Sequence, residues 1–321
     1  MTLAGAALAA DGPVERMKAT YAAWVAKHHF ADASLAVIKD GAVADTAGFG
    51  GYTASTPARV ASLSKAITAV CTVKLIEAGK LGFDTKLGDI LKEFFAHHPA
   101  GGAKARAITV GELLTHTSGL AYDATQGLPL LDYKPFTKVS MADQLAAALV
   151  KPLAGKRFFY NNVNYDALGL VIEKASGEAY EPYCKKTVLD PVGATNAAID
   201  PGWRVLGPFG GWRISAVEYA KFLAYFDPAK GLLATRPKAW PKTSLGGGAL
   251  YSIGVFMRKA GKGYNYWHEG AYNWSGGGYK ASFGAYFALW NSGLGFMSAF
   301  QPRASDAAVA ELDRAMWEAA Q

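Results

Sequence analysis

The chain has 321 residues, of which 51% are hydrophobic and 18% charged, and it carries a formal net charge of +7. This length and apolar content predict a folded globular protein with one large domain or two ordinary ones. No apolar run reaches the roughly 18 residues that a membrane helix needs, so we expect no membrane insertion. The basic residues are scattered and form no run or stripe, which argues against a nucleic-acid partner.

The first ten residues are small and apolar and end in Ala-Leu-Ala-Ala, a sequence typical of the end of a secretory signal. They lack the basic region with which such a signal normally begins. Residues 1–10 are therefore either a signal remnant, which implies a periplasmic or secreted protein, or a disordered start, which leaves a cytoplasmic location open.

The predicted secondary structure begins with a helix at residues 14–28. Two apolar runs joined by Asp40-Gly41 then predict a β-hairpin at residues 34–44. From residue 61 to residue 78 there is no Pro or Gly and apolar residues recur at helical spacing, so we expect a long helix that ends at Gly79.

Beyond this helix, residues 81–248 alternate helical stretches with loops rich in Gly, Pro and Thr. Strand patterns return at residues 249–257, 264–268, 278–283 and 285–290, and an amphipathic helix is predicted at residues 305–319. The sheet must therefore be built from both ends of the chain. We predict an α+β fold in which an antiparallel sheet is flanked by helices and carries an inserted all-helical domain. The sheet domain would comprise residues 11–80 and 249–321, and the mainly helical domain residues 81–248.

The segment Ser62-Leu63-Ser64-Lys65 places a hydroxyl and an amine one helical turn apart. On a helix the Ser62 oxygen and the Lys65 nitrogen share a face and come within hydrogen-bond reach, whereas Ser64 lies on another face. A serine hydroxyl needs such a base, and a lysine can serve if burial or cationic neighbours lower its pKa. The pattern is short, however, and a helix that begins with a serine cap is the alternative reading.

Three further patterns follow in order: Leu113-Leu114-Thr115-His116-Thr117-Ser118-Gly119-Leu120, then Tyr160-Asn161-Asn162, then His268-Glu269-Gly270. With the S-x-x-K segment, their order and spacing from about residue 30 to residue 300 resemble the penicillin-recognising serine hydrolases. That family includes class C β-lactamases, DD-peptidases, D-aminopeptidases and related esterases. The resemblance implies a β-lactamase/transpeptidase-like fold.

The resemblance also implies a role for each matched residue. Ser62 matches the nucleophile that forms an acyl-enzyme, and Lys65 matches its helical partner. Tyr160 would share the proton transfer, and Asn162 would contact the acyl amide of the substrate and the lysine. Whether Lys65 or Tyr160 is the general base stays open. His116 matches a residue with a structural role.

On the strand that would line the site, His268, Glu269 and Gly270 stand where relatives have K-T-G. The backbone N–H groups of Ser62 and Ala271 would form the oxyanion hole. Lys242-Thr243-Ser244 imitates K-T-G, but it follows a proline and no strand is predicted around it, so we interpret it as a decoy.

The departure from K-T-G bears on the substrate. In β-lactamases and peptidases of the family, that lysine and threonine hold a substrate carboxylate. Here His268 is mostly neutral at pH 7, and Glu269 is anionic unless strand alternation turns it away from the site. Variants with H-x-G tend to be esterases or aminopeptidases. Tyr272 and Trp274 would line the pocket and suit an apolar or aromatic group.

We therefore predict a serine hydrolase that acts on a small-molecule ester or amide, most simply an esterase. The alternatives are a β-lactamase, DD-peptidase or D-amino-acid amidase, and a penicillin-binding or sensor domain that is acylated without turnover. This chemistry requires no metal and no organic cofactor. Cys71 and Cys184 show neither C-x-x-C nor metal-ligand spacing.

Overall fold

The structure is a computed structural model that describes residues 12–127, 139–235, 240–276 and 279–321. The possible signal remnant at residues 1–10 lies outside the described residues, as does Gly278, where one strand is predicted to begin. Within the described ranges, no helix is both long enough and apolar enough to span a membrane.

The centre of the molecule is an antiparallel sheet. The strands are β1 (Asp32–Lys39), β2 (Ala42–Phe49), β3 (Ala58–Arg59), β4 (Ala198–Ile199), β5 (Trp212–Ile214), β6 (Thr243–Gly246), β7 (Ala249–Ser252), β8 (Val255–Ala260), β9 (Gly263–Gly276), β10 (Tyr279–Leu289) and β11 (Leu294–Gln301). Eight of them form one sheet in the order β2-β1-β11-β10-β9-β8-β7-β6, and β3-β5-β4 form a small second sheet. Because β1 pairs with β11, both ends of the chain build the main sheet, as predicted.

Helices cover both faces of the main sheet. They are α1 (Pro13–His28), α2 (Ser64–Glu77), α3 (Leu87–Ile90), α4 (Lys92–His97), α5 (Gly102–Arg106), α6 (Val110–Leu114), α7 (Ala124–Gly127), α8 (Met141–Leu149), α9 (Val163–Ser176), α10 (Tyr180–Cys184), α11 (Ala216–Phe222), α12 (Leu232–Thr235) and α13 (Asp306–Ala319). Shorter 3-10 turns occur at Ala61–Leu63, Asp190–Val192, Pro201–Leu206 and Leu223–Phe226, and π-helical turns at Lys185–Leu189 and Gly207–Gly211.

Two hydrophobic cores lie on opposite sides of the sheet. The outer core joins α1 and α13 to one face through side chains such as Met17, Tyr21, Leu312 and Met316. The inner core joins α2, α11 and the helices of the middle segment to the other face. The nucleophile segment before α2 belongs to this inner side.

The strand predictions near the C-terminus need three corrections. The segment predicted as one strand at residues 249–257 contains two antiparallel strands, β7 and β8, with a turn between them. The segments predicted as separate strands at residues 278–283 and 285–290 belong to the single strand β10, and β11 was not predicted. In the sequence, the glycine at position 284 suggests a break between two strands. In the sheet, however, Gly284 pairs with Phe300, whose ring occupies the space that a side chain would fill.

The interpretation of Lys242-Thr243-Ser244 as a segment without a strand was wrong, because β6 begins at Thr243. This strand forms the edge of the sheet, and β7 and β8 separate it from β9. The triplet is therefore remote from the strand that carries His268. The segment 81–248 thus contains short strands as well as helices, and its division from the sheet domain stays a prediction.

A disulfide joins Cys71 on α2 to Cys184 on α10, with 5.5 Å between their Cα atoms. Both residues are fully buried. The sequence did not predict this bond, because two cysteines 113 positions apart carry no spacing signal. The bond connects the helix that follows Ser62 to the segment predicted as the helical domain.

Candidate active site

The nucleophile segment is a 3-10 turn at Ala61–Leu63 that runs directly into α2. Lys65 Nζ lies 3.1 Å from Ser62 Oγ, so the predicted contact between the two is present. Ala61 has a φ of 45°, in the left-handed region that costs a residue with a side chain about 1–3 kcal/mol. The Tyr219 hydroxyl donates to the Leu63 carbonyl at 2.9 Å and helps to hold the turn.

Lys65 is fully buried and forms no ion pair with any carboxylate of the described residues within 4 Å. Its Nζ donates to the Phe209 carbonyl at 2.9 Å and lies 4.8 Å from the centre of the Tyr160 ring. Burial lowers the pKa of Lys65 to about 7, although the negative charges of Asp123 and Asp166 oppose this shift. A substantial fraction of the amine is therefore neutral near pH 7.

Phe209 is a site residue that the sequence reading missed. It lies in the π-helical turn Gly207–Gly211, whose Gly-Pro-Phe-Gly-Gly sequence reads only as a loop. Thr68 on α2 fixes this turn by donating to the Pro208 carbonyl at 2.6 Å, and its Oγ1 also lies 2.6 Å from the Tyr180 hydroxyl. The turn thereby presents a carbonyl to Lys65, and no signal in the sequence pointed to it.

Tyr160 stands beside Lys65 with its ring 4.4 Å from His116 and 6.2 Å from His268. Burial raises its pKa above the ordinary value of a tyrosine, and a hydrogen bond with Ser62 opposes this shift. The phenol therefore stays protonated at neutral pH, when it can both donate and accept a hydrogen bond.

His116 has the structural position that the resemblance implies. Its Nδ1 lies 3.3 Å from the Asn161 backbone N–H and 3.1 Å from the amide nitrogen of Asn164. Because both neighbours are donors, Nδ1 accepts and the ring proton resides on Nε2. The imidazole thus anchors the segment that carries Tyr160 to the end of α6.

Asn162 reaches the site but does not make every contact that the resemblance implies. Its amide nitrogen donates to Thr125 Oγ1 at 2.9 Å, and its backbone N–H donates to Asp123 at 3.2 Å. Its buried side-chain oxygen has no hydrogen-bond partner among the described residues, so the predicted contact with Lys65 is not present. This oxygen is oriented by its neighbours and can accept a hydrogen bond from a ligand.

His268 is buried on β9, and its Nδ1 lies 2.6 Å from the Glu269 carbonyl, which makes Nδ1 the donor. Burial and the nearby positive charge of Lys65 lower its pKa to about 3, so the ring is neutral. The unprotonated Nε2 has no partner among the described residues. The strand position at which relatives have the lysine of K-T-G therefore carries no positive charge in this protein.

Glu269 faces the other side of the sheet. Its partner across the ladder is Tyr286, which belongs to the outer core, and Trp267, two residues earlier on β9, packs against the same core. The alternation of β9 thus turns the carboxylate away from Ser62. A direct contact of this carboxylate with an anionic substrate therefore does not arise, although its negative charge still adds to the effect of burial in raising the pKa of Tyr160.

Gly270 allows β9 to approach the nucleophile segment. A Cβ atom at this position would lie 2.1 Å from the Val60 carbonyl oxygen and 3.2 Å from Leu63. A side chain here would therefore push the strand and the 3-10 turn apart. The role of Gly270 is to keep Ala271 and Ser62 against the same cavity.

A cavity of about 270 Å³ opens in front of Ser62. The predicted residues that line this cavity are Ser62, Asn162, Ala271, Tyr272 and Trp274. The predicted residues that do not line the cavity are Lys65, Tyr160, His268 and Gly270. The lining residues that the sequence reading missed are Ala61, Thr125, Gln126, Leu206, Phe209, Gly210, Asn273 and Arg303.

Aromatic side chains form part of the cavity wall, and the rest of the lining includes the polar residues Ser62, Thr125, Gln126, Asn162, Asn273 and Arg303. Tyr272 packs on Trp203 and Phe283, with ring centres 5.0 and 5.2 Å apart. Arg303 lies at the rim, where its guanidinium donates to Asp306 at 2.9 Å. Within the described part of the chain, no group of three or more His, Cys, Asp or Glu side chains could hold a metal ion.

Comparisons with known proteins extend this picture. The family model described as Beta-lactamase matches residues 17–321. Protein flp of Staphylococcus aureus (strain N315) is 28% identical over 184 residues, which are 54% of this chain and only 35% of that protein's length.

Two solved structures superpose over most of the chain. The D-amino acid amidase from Ochrobactrum anthropi SV3, complexed with L-phenylalanine amide, has a TM-score of 0.74 at 16% identity, covering 96% of this chain and 98% of that one. The β-lactamase/D-alanine carboxypeptidase from Yersinia pestis has a TM-score of 0.74 at 17% identity, covering 96% and 99%. At these identities the likeness concerns the fold, and it confirms the fold class predicted from the sequence.

Proposed function

Because the chain belongs to the β-lactamase family of serine hydrolases, we propose that it is an esterase that works through an acyl-enzyme on Ser62. The observation that carries this proposal is the 3.1 Å contact between Ser62 Oγ and the fully buried Lys65. A nucleophile and a base within hydrogen-bond reach are the elements that acyl transfer to a serine requires.

Lys65 is the general base in this proposal. As an ammonium it donates to Ser62, whereas as a neutral amine it accepts the serine proton. A pKa of about 7 supports this role, because a base works best when its pKa lies near the working pH. The activity should therefore rise as the pH increases through about 7 and Lys65 loses its proton.

Tyr160 acts as a neutral proton carrier rather than as a resting phenolate. Its raised pKa disfavours the phenolate, and its ring lies beside Lys65. The phenol can accept a proton from Lys65 while it donates its own to the leaving oxygen of the ester. In deacylation the same groups would transfer protons in the opposite direction and would remove a proton from the attacking water.

The backbone N–H groups of Ser62 and Ala271 are our proposed oxyanion hole. Both residues line the cavity, and the close approach at Gly270 supports their nearness. Two such donors aimed at the tetrahedral oxyanion stabilise it by roughly 3–4 kcal/mol each in other enzymes.

The preference for a neutral ester rests on the charge at the K-T-G position. His268 is neutral and buried, so it gives a substrate carboxylate no ionic contact. The aromatic side chains of Tyr272 and Trp274 suit an apolar or aromatic acyl or alcohol group. We propose a small-molecule ester as the substrate.

One observation favours the second candidate, a β-lactam or D-alanyl substrate with a carboxylate. Arg303 lines the cavity and could attract such a group. Its guanidinium is already bonded to Asp306, which weakens this attraction. The names of the amidase and of the carboxypeptidase described above make an amide substrate a further alternative.

A periplasmic or secreted location is also part of our proposal. Structural disulfides persist mainly in oxidising compartments, and the buried Cys71–Cys184 bond supports such a location. Retention of this bond in protein isolated from its native compartment under alkylating conditions would test it.

The experiment that tests the function compares p-nitrophenyl butyrate with a chromogenic cephalosporin. We expect ester turnover that exceeds cephalosporin turnover and that Ser62→Ala abolishes. Ser64→Ala is the matched control, because the Ser64 hydroxyl contacts the Trp212 backbone and not Lys65. This control should keep most of the ester activity.

Other outcomes would identify the alternatives. Cephalosporin turnover as fast as ester turnover, and lost in Arg303→Gln, would favour the carboxylate-binding candidate. Stoichiometric acylation of Ser62 without turnover would indicate a penicillin-binding or sensor domain. Ester activity that survives in Ser62→Ala would contradict the proposed nucleophile.

A further inference from the structure

Two arginines of the small second sheet share one aspartate. Arg59 on β3 lies opposite Arg213 on β5, and like charges at opposite positions destabilise a sheet. Asp200, which follows β4, bonds to both: one carboxylate oxygen accepts from the Arg59 guanidinium and the other accepts from Arg213 at 3.2 Å. The three side chains are partly exposed, and ion pairs of this kind contribute little to stability. Stability of the fold alone therefore does not account for this network.

Arg59 also stacks on a tryptophan. Its guanidinium carbon lies 4.7 Å from the centre of the Trp203 ring. Trp203 is buried in the 3-10 turn Pro201–Leu206, and its backbone N–H donates to the Asp200 carbonyl at 2.7 Å. A planar guanidinium suits both contacts, because it can stack on an aromatic ring while its N–H groups bond to a carboxylate. Arg59 thus holds both the start of this turn and the indole that the turn carries.

The Trp203 indole supports one wall of the active-site cavity, formed by Tyr272 and Leu206. Both of these residues line the cavity in front of Ser62, and Leu206 ends the turn that contains Trp203. The Tyr272 ring meets Trp203 edge to face at 5.0 Å and stacks on Phe283 at 5.2 Å. These two buried rings do not belong to the cavity lining, so they lie behind Tyr272. The tyrosine can therefore move away from the cavity only if one of them moves.

The same arginine is close to the nucleophile along the chain. β3 ends at Arg59, and the next residue, Val60, donates its backbone N–H to the Trp212 carbonyl of β5 at 3.1 Å. The 3-10 turn that carries Ser62 follows directly. The small sheet thus holds the nucleophile turn at one point and Trp203 at another. The space between Ser62 and the wall therefore depends on the contact of Arg59 with Trp203.

We propose that Arg59 is a positioning residue for substrate specificity: by holding Trp203 behind Tyr272, it limits the enzyme to short acyl groups. This inference rests on the proposed esterase function and names the class of ester. The cavity of about 270 Å³ agrees with it, because sites for drug-sized ligands typically measure roughly 300–1,000 Å³. When the contact of Arg59 with Trp203 is lost, the wall can yield and a longer acyl chain can enter.

The test compares the rates at which Ser62 reacts with two fluorophosphonates, one with an ethyl and one with an octyl group on phosphorus. The serine oxygen bonds to phosphorus, fluoride leaves and the serine proton passes to the base, so the reaction requires an activated serine but not an ester. We expect the wild type to prefer the ethyl reagent. In Arg59→Ala the ratio of the octyl rate to the ethyl rate should rise about tenfold, the low end of what one methylene decides in an apolar pocket. A general loss of packing would lower both rates together and leave the ratio unchanged.

Arg213→Ala is the matched control. It removes the same kind of side chain from the position opposite Arg59, and it leaves the contacts of Arg59 with Asp200 and Trp203 in place. The ratio should therefore stay close to that of the wild type. Arg59→Lys keeps the charge without the planar stack, so it should give part of the rise. Trp203→Phe has a smaller ring behind the wall, should also raise the ratio, and keeps the test open if Arg59→Ala folds poorly.

An unchanged ratio in Arg59→Ala, or in Trp203→Phe if only that variant folds, would overturn the proposal, as would a wild type that prefers the octyl reagent. An equal rise in Arg213→Ala would also overturn it, because the effect would then belong to the whole small sheet. A raised ratio in a protein that turns over no p-nitrophenyl ester would contradict the esterase function alone. A wild type that reacts with neither reagent would overturn both, because both require an activated Ser62.

Discussion

The two faces of the main sheet bury polar groups in opposite ways. On the outer face, the Tyr21 hydroxyl donates to the Ser34 carbonyl and the Trp24 indole donates to the Ala308 carbonyl. On the inner face, Lys65 is buried without an ion pair, and Asp166 and His268 keep atoms without partners among the described residues. The outer face thus stabilises the fold, whereas the inner face keeps costly groups that are available for chemistry.

The largest expected effect comes from Lys65→Met, which removes the buried amine. We expect kcat/KM for the ester to fall about a thousandfold or more, because Ser62 loses its base. The folded protein should become more stable at pH 7 by roughly 4 kcal/mol, since the pKa of Lys65 is depressed to about 7 from 10.5.

The sign of this stability change follows from proton binding. Between about pH 7 and 10.5 the unfolded wild type binds more protons at Lys65 than the folded protein, so wild-type stability gains from this residue as the pH rises. The advantage of Lys65→Met should therefore shrink towards pH 10. Urea unfolding at several pH values measures it, and an advantage independent of pH would contradict the buried-amine interpretation.

Gly270→Ala should have the next largest effect on activity. The new methyl group would meet the Val60 carbonyl and separate β9 from the nucleophile turn. We expect about a hundredfold loss in kcat, since small displacements of reacting groups are costly. Gly155→Ala is the control, because an added Cβ there has no atom within 4 Å. Equal activity in the two variants would show that β9 need not approach the turn.

Met316→Ala should affect stability and not catalysis. Met316 is fully buried in the outer core, and its truncation should cost about 2–4 kcal/mol of unfolding free energy. Because the outer core lies across the sheet from Ser62, kcat below the melting temperature should stay within twofold of the wild type. A large change in kcat would mean that the two faces are mechanically coupled.

The sequence predicted the elements whose signals are local. The hairpin around Asp40-Gly41 has its turn where the pattern placed it, and the contact of Ser62 with Lys65 follows from the spacing of the two residues. The direction of Glu269 could not be predicted, because a one-residue change in strand register reverses it.

Other site residues depend on contacts between distant parts of the chain. Phe209 reaches Lys65 across 144 positions through a backbone carbonyl, which any residue type could supply. Arg303 comes to the cavity from the loop before α13. The burial of Asp166 and the Cys71–Cys184 bond arise in the same way, so no local pattern could predict them.

The pairing of β1 with β11 also bears on how the chain folds. Asp32 of β1 is in register with Gln301 of β11, so the middle of the sheet joins segments that lie far apart in sequence. During synthesis, β1 has one bare edge until almost the whole chain has emerged, and such an edge can pair with other molecules. Contacts of long sequence separation also slow folding. The nucleophile segment is synthesised early. The strand that packs against it, β9, can join the completed sheet only after the last strand of the sheet has been synthesised.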